Sequence, residues 1–229
     1  MFGERRHRLL RRLSSCLVII GGVVLAYPFW SAGYAHVQQG RLSQGLRTSE
    51  IAFDRSMRAD AAQLAAIKDP RKRLRRLAET FAADLRPGAA VGRLRIPRIG
   101  LDTVVLEGAH RPPSLGRGND QGLLRSGPVH YGLTPLPGAG RPFAVAGHRT
   151  TFGAPFYRLD RLRPGDTISV VTPYARMVYR VAKTTVVRPS DVWVLSDHGY
   201  DLVLTTCHPP YSADHRLIVW AQLASFALR

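Results

Sequence analysis

Cys207 closes the apolar run "DLVLTTC", and nine positions later Arg216 opens another, "RLIVWAQLA". A cysteine attacks carbonyl carbon only as its thiolate, so it needs a neighbour that takes the thiol proton. The attack places negative charge on oxygen, and that oxyanion needs a cation or N–H donors. A guanidinium stays charged at physiological pH, so Arg216 suits the electrostatic task and not that of a base. Among eight histidines, His148 stands out because it closes the run "FAVAGH" as Cys207 closes its own. Two strand ends carrying such groups can meet at one mouth of a barrel. From spacing alone, His148 is equally a structural histidine with its nitrogens satisfied, and Arg216 equally a surface charge at a strand end.

The other histidines fit less well. His7 and His36 flank a long apolar stretch, and His110, His130, His198 and His215 lie in turn-rich sequence. His208 follows Cys207 directly, and strand neighbours point to opposite faces, so it can line a site without pairing with the thiol. No Asp/Glu cluster has calcium-like spacing, and Cys207, His208 and His215 lack the paired spacing of zinc ligands. The expectation is a site without metal or cofactor.

What a lone thiol means depends on where it lies. "RRHRLLRRL" precedes "SSCLVIIGGVVLAYPFWSAGYA", and no charged residue occurs from Leu13 to Ala35. About 20 apolar residues cross a hydrocarbon core. Tyr27, Trp30 and Tyr34 sit at the far end, as interfacial aromatics do. The arginines on the near side predict a single-pass cell-membrane protein with a cytoplasmic N-terminus and the rest outside. A cleaved signal peptide is the competing reading, but the apolar stretch is long for one. Cys16 then lies in the span as a small apolar residue, with lipidation as its other option, and Cys207 lies outside. The two cannot pair, and a free thiol in an oxidising space points to reactivity. The formal net charge of +17 is spread along the chain with no block of base-reading aromatics. That argues against nucleic acid as a partner and suits an anionic membrane or cell wall.

These elements give a division into a basic tail (1–12), a membrane span (13–35), an extracellular linker with helices (36–90) and a catalytic domain (91–229). "HVQQGRLSQGLRTSE" reads as polar linker and "TSEIAFDRSMRADAAQLAAI" as helix. Asp69 and Pro70 read as cap and first position of another helix, with the stripe Leu74, Leu77, Ala78, Phe81 and Leu85 and an end before "RPG". Arg71, Lys72, Arg73, Arg75 and Arg76 are either a solvated face or a contact for anionic lipid or wall polymer. From residue 91, seven short β-rich runs alternate with Gly/Pro turns, which predicts an all-β antiparallel sandwich or barrel. "FYRLDRLRPGD" reads as one helical turn followed by a tight turn.

"LTTCHP" with "HR" following resembles the nucleophile signature of the sortase family, whose pattern is Thr-Leu-x-Thr-Cys with an arginine about nine positions on. "VAGHR" resembles the strand end that bears the sortase histidine, and "LRIPRIGLDTVVLEG" the opening strands of the sortase barrel. "AGHRTTFGAPFYRLDRLRPGD" and "TTCHP" are most similar to actinobacterial class E sortases. Val203 departs from the pattern, standing where its first Thr is expected. The resemblance implies an eight-stranded β-barrel with short helices, behind a transmembrane helix and a helical juxtamembrane segment. It implies Cys207 as nucleophile, His148 as proton shuttle and Arg216 as clamp for the oxyanion and substrate carbonyl. It further implies a thiol-peptidase-like acyl transfer on secreted proteins bearing a C-terminal Leu-Pro-x-Thr-Gly or Leu-Ala-x-Thr-Gly signal. Cleavage after Thr gives a thioester, which an amine resolves, typically from a peptidoglycan precursor. Tyr131, in "GPVHYG", resembles a class E tyrosine tied to the Ala preference, and is otherwise an ordinary amphipathic loop residue. Thr206 either touches substrate or packs within its strand. The alternatives are a pilin-polymerising sortase, a hydrolytic cysteine protease of the same fold, and a non-catalytic envelope-binding module.

Overall fold

The computed structural model describes residues 2–59, 61–110, 115, 120–140, 142–196 and 199–229; Arg141 and His198 lie outside the described residues. Helix α1 runs from Phe2 to Ala59. Leu17, Val18, Ile19, Val24 and Leu25 all stand exposed on it. An apolar surface on every face belongs in lipid or a protein core. The most apolar stretch of α1 is 0% buried, and by length and composition the helix is long and apolar enough to cross a membrane. The segment 36–50, read above as linker, is instead helix throughout. Its two glycines, Gly40 and Gly45, each disfavour helix by about 1 kcal/mol. Packing overrides them, because Ala35, Leu46 and Phe53 are buried along one side of the helix.

Gln39 fastens α1 to the rest of the protein. Its Oε1 accepts from the Val104 N–H at 2.7 Å, and its Nε2 donates to the carbonyls of Val104 at 3.2 Å and Ser126 at 2.9 Å. The side-chain amide thus satisfies strand backbone groups as a neighbouring strand would.

Helix α2 (Ala61–Ala66) leads to α3 (Pro70–Asp84). Asp69 caps α3 as its sequence predicts, accepting from Arg71 N at 2.8 Å and Lys72 N at 3.4 Å. Leu74, Leu77, Ala78 and Phe81 are its buried face. Phe81 meets Phe53 of α1 edge-on at 5.5 Å and Tyr174 of the barrel at 5.7 Å. Within the basic cluster, Arg73 donates to the Ile67 carbonyl at 2.8 Å, tying down the chain that leaves α2.

Eight strands follow: β1 (Ala90–Ile96), β2 (Leu101–Leu106), β3 (Val129–His130), β4 (Phe143–Ala146), β5 (Thr167–Val171), β6 (Ala175–Val187), β7 (Leu202–His208) and β8 (His215–Leu228). They close into a barrel in the order β1-β2-β3-β4-β7-β8-β6-β5. The pairs β2/β3 and β4/β7 are parallel, so the barrel is not purely antiparallel. A short helix, α4 (Gln121–Leu124), precedes β3. With only two residues, β3 leaves no periodicity to read. His130 and His215, read above as loop residues, lie on strands β3 and β8.

Inward positions such as Leu94, Phe143, Val145, Ile168, Leu202, Leu204 and Val219 form the main core, which Phe53 and the buried face of α3 extend. The outer face of β4, β7 and β8 is covered too, with Ala144, Val203, Ile218 and Trp220 packed under Val194 and Leu195. β7 is therefore buried on both sides, which is why it reads as a continuous apolar run. Val203, the departure from the family pattern, is fully buried in that outer cluster, where an apolar side chain packs well.

Because α3 shares the barrel's core, Phe81→Ala in the full chain should destabilise the fold by about 3–5 kcal/mol. Urea unfolding followed by tryptophan fluorescence measures this, and an unchanged midpoint would contradict the packing described.

Candidate active site

β7 and β8 pair antiparallel with Cys207 directly opposite Arg216. Such a pair projects to one face with Cβ atoms about 5 Å apart. On the other side of β7, β4 runs parallel with Ala146 opposite Thr205. Gly147 N continues this pairing by donating to the Thr205 carbonyl at 3.1 Å. Extending the register brings His148 level with Cys207. Strand parity then fixes the face. Ala144, Val203, Ile218 and Trp220 share the outer cluster, and His148, Cys207 and Arg216 lie two or four residues from them along the same strands. The three residues picked out by spacing form a row across β4, β7 and β8, on the outer wall of the barrel and not in its mouth.

Cys207 is half-buried, and Arg216 is 4% exposed. Arg216 Nη1 donates to the carbonyls of Ala213 at 2.8 Å and His215 at 2.6 Å. These bonds engage both protons of one nitrogen among the five donors of the guanidinium. They tie the fork to the backbone of its own loop.

His148 is half-buried, and its Nε2 has no hydrogen-bond partner among the described residues. That is not the arrangement of a satisfied structural histidine. Burial, followed by the positive charge of Arg125, holds its pKa below 6.5. The ring is accordingly neutral at pH 7 and able to accept a proton. The backbone leading to it is tightly set. A Cβ on Gly147 would come within 2.5 Å of the Phe156 ring, so the chain passes under that ring only as glycine. The next residue, Arg149, is 1% exposed and pairs with Asp160 at 3.1 Å.

Tyr131 sits on the same outer face, between β3 and β4. Its hydroxyl shares a 2.8 Å hydrogen bond with Thr205 Oγ1, and it packs against the outer cluster. Burial, the largest influence, pushes its pKa up to about 12, with smaller effects from Arg216 and Cys207. The phenol thus stays protonated beside Cys207. A buried polar chain sets its backbone: His130 Nδ1 lies 2.8 Å from Glu107 Oε2, and His130 Nε2 lies 2.9 Å from Thr134 Oγ1. Thr134 in turn engages the Tyr131 carbonyl and the Ala144 N–H.

Thr206 lies on the opposite face of β7. It is 3% exposed, and its hydroxyl donates to the Gly147 carbonyl at 2.8 Å. It ties the end of β7 to the end of β4, and Thr205 is the threonine that meets Tyr131. Sequence reasoning passed over Thr205, Arg125, Arg149 and the phenylalanine that follows in the histidine loop. Only "VAGHR" gave a local signal for Arg149. No group of three or more His, Cys, Asp or Glu side chains suited to a metal occurs among the described residues.

Because burial favours the neutral ring, protonating His148 favours the unfolded chain. Its contribution to stability is full above the ordinary pKa of 6.5 and is lost as pH falls through the lower folded value. Carbon-13 NMR of labelled histidine in full-length Cys207→Ala should place the His148 midpoint below 6.5, and Arg125→Gln should raise it. A midpoint at or above 6.5 would contradict the burial.

Comparison with known proteins identifies the fold and the family. The model of the sortase domain family matches residues 94–224. Sortase SrtE1 of Streptomyces coelicolor is 34% identical over 152 residues, covering 60% of this chain and 41% of the relative. Sortase SrtE2 of the same organism is 29% identical over 154 residues, covering 59% and 56%. The chain thus spans about half the length of these two relatives. The crystal structure of sortase E1 from Streptomyces coelicolor, solved with a tripeptide in its active site, superposes with a TM-score of 0.52. It is 32% identical and covers 63% of this chain and 94% of that one. The chain belongs to the sortase family, whose members are cysteine transpeptidases.

Proposed function

We propose that this protein is a membrane-anchored sortase of class E type, with Cys207 as nucleophile, His148 as proton shuttle and Arg216 as oxyanion clamp. The observation that carries the reading is the row of these residues at one level along three adjacent chain segments, with His148 Nε2 buried and without a hydrogen-bond partner among the described residues. The substrate is a secreted protein ending in a Leu-Ala-x-Thr-Gly or Leu-Pro-x-Thr-Gly signal. His148 takes the thiol proton, Cys207 sulfur bonds to the Thr carbonyl carbon, and Arg216 meets the charge growing on the carbonyl oxygen. Collapse breaks the Thr–Gly C–N bond, and the proton held on His148 leaves with the glycine amine. An acceptor amine from a peptidoglycan precursor then attacks the thioester. The C–S bond breaks as the new amide forms, and the amine's proton returns through His148 to the sulfur.

The remaining roles follow from position. Tyr131, flanking Cys207, is the candidate for reading the second residue of the signal. Thr206 supports the site by joining the strand ends. The basic residues before the apolar segment hold the N-terminus in the cytoplasm and leave the barrel outside.

With full-length protein in nanodiscs, a Leu-Ala-x-Thr-Gly peptide and an amine acceptor should give an amine-joined product, and Cys207→Ala should give none. Full activity in that variant would overturn the assignment. Arg216→Lys keeps the charge but loses the fork, and should lower kcat/KM about 100-fold. Tyr131→Phe removes the bond to Thr205 and should reduce preference for the Ala signal over the Pro signal; an unaltered ratio would remove Tyr131 from recognition. Release of free acid alone, even with acceptor present, would mark a hydrolase.

A further inference from the structure

The loop after β4 carries Phe152 in the left-handed region, at φ 51°. A bulky residue is rarely found there unless its surroundings hold it. The Phe152 ring lies 5.3 Å from the His148 ring at an interplanar angle of 35°. Two aromatic side chains of α1 meet Phe152 edge-on: Tyr34 at 6.4 Å and 72°, and Tyr27 at 6.4 Å and 79°. Arg125 adds its guanidinium 5.8 Å from the ring centre. The helix comes this close because its facing residues are small. Ser31 and Ala35 are buried one turn apart, and a Cβ on Gly153 would lie 3.3 Å from that of Ala35. One turn further on, Gln39 bonds to β2 and fixes the helix against the barrel.

We propose that Phe152 is a positioning residue for His148 and that Tyr34 holds it in place, so that the docked α1 is a working part of the active site. The inference rests on the reading of His148 as the proton shuttle. Phe152 covers a face of the imidazole, limits its rotation and keeps water from it. Phe152 is held by van der Waals and edge-to-face contact with α1, without a hydrogen bond of its own. Removing the Tyr34 ring frees Phe152, and the imidazole becomes wetter and less well aimed. The charged and titratable groups around His148 are Arg125 after α4, Arg149 in the same loop, Cys207 on β7 and Arg216 on β8. The phenols of Tyr27 and Tyr34 lie beyond Phe152.

The test uses full-length protein in nanodiscs, comparing wild type with Tyr34→Ala, Tyr34→Phe and Phe152→Asn. Asparagine tolerates the left-handed backbone, so the last variant removes the ring without adding strain. Tyr34→Ala and Phe152→Asn should lower kcat about 10- to 100-fold with KM changed less than about twofold. Both should raise the His148 midpoint toward 6.5, read by histidine NMR in the Cys207→Ala background, while Tyr34→Phe restores both quantities. The inference is overturned if wild type is active and Cys207→Ala inactive, yet Tyr34→Ala changes neither kcat nor the midpoint. It is also overturned if the midpoint shifts with kcat unaltered. In that case His148→Gln separates the causes: a wild-type rate there removes the histidine from the reaction, and a lost rate removes only the positioning.

Discussion

Strand β7 is hydrogen-bonded on both edges and buried on both faces, and each position in the site is set relative to it. A residue-by-residue register with β8 brings Arg216 opposite Cys207. A parallel register with β4 brings His148 level from the other side. A one-residue slip on either edge would turn a partner to the wrong face. Such a slip is opposed by Leu202 and Leu204 in the inner core and by Val203 with Trp220 in the outer cluster. The polar tie from Thr206 to the Gly147 carbonyl locks the same register where packing ends. Hydrophobic burial on two sides thus provides the angular precision that the three polar groups need.

The second support is a line of buried hydrogen bonds at one side of the row. Glu107, His130 and Thr134 satisfy one another where a lone charge would be strongly disfavoured. Their last link reaches the backbone of Tyr131 and the N–H of Ala144. The wall beside Cys207 is therefore fixed from within the fold, whereas the wall over His148 is fixed from outside it by α1.

The sequence disclosed Cys207, His148 and Arg216 because all three sit where an apolar run begins or ends, and run boundaries are what periodicity reads best. The cap of α3 was legible for a similar reason, since Asp69 and Pro70 act on their own helix terminus. Features made by distant contacts were not legible. Gly40 and Gly45 marked residues 36–50 as linker, yet burial of Ala35, Leu46 and Phe53 keeps that stretch helical. β3 has two residues and exists only through its neighbours. Phe152 sits in a loop with no pattern, and its contact with a helix more than a hundred residues earlier has no local signature. The placement of the row on the outer wall, where a mouth was expected, needed the register of three strands together.

Gln39 and the buried side of α1 have a geometric consequence. A helix that grips the barrel through Gln39 and a buried side cannot act as a loose tether, because it transmits its own orientation. The loop bearing Phe152 meets α1 at Tyr27 and Tyr34, aromatics that the proposed membrane span sets at the lipid–water boundary. In the membrane-anchored protein proposed above, the row of His148, Cys207 and Arg216 is therefore held close above the membrane plane. Partners confined to that plane would meet it at a rate set by lateral diffusion, while those dissolved in bulk must first reach the sheet. Confinement to two dimensions raises the effective concentration of such partners without any added contact.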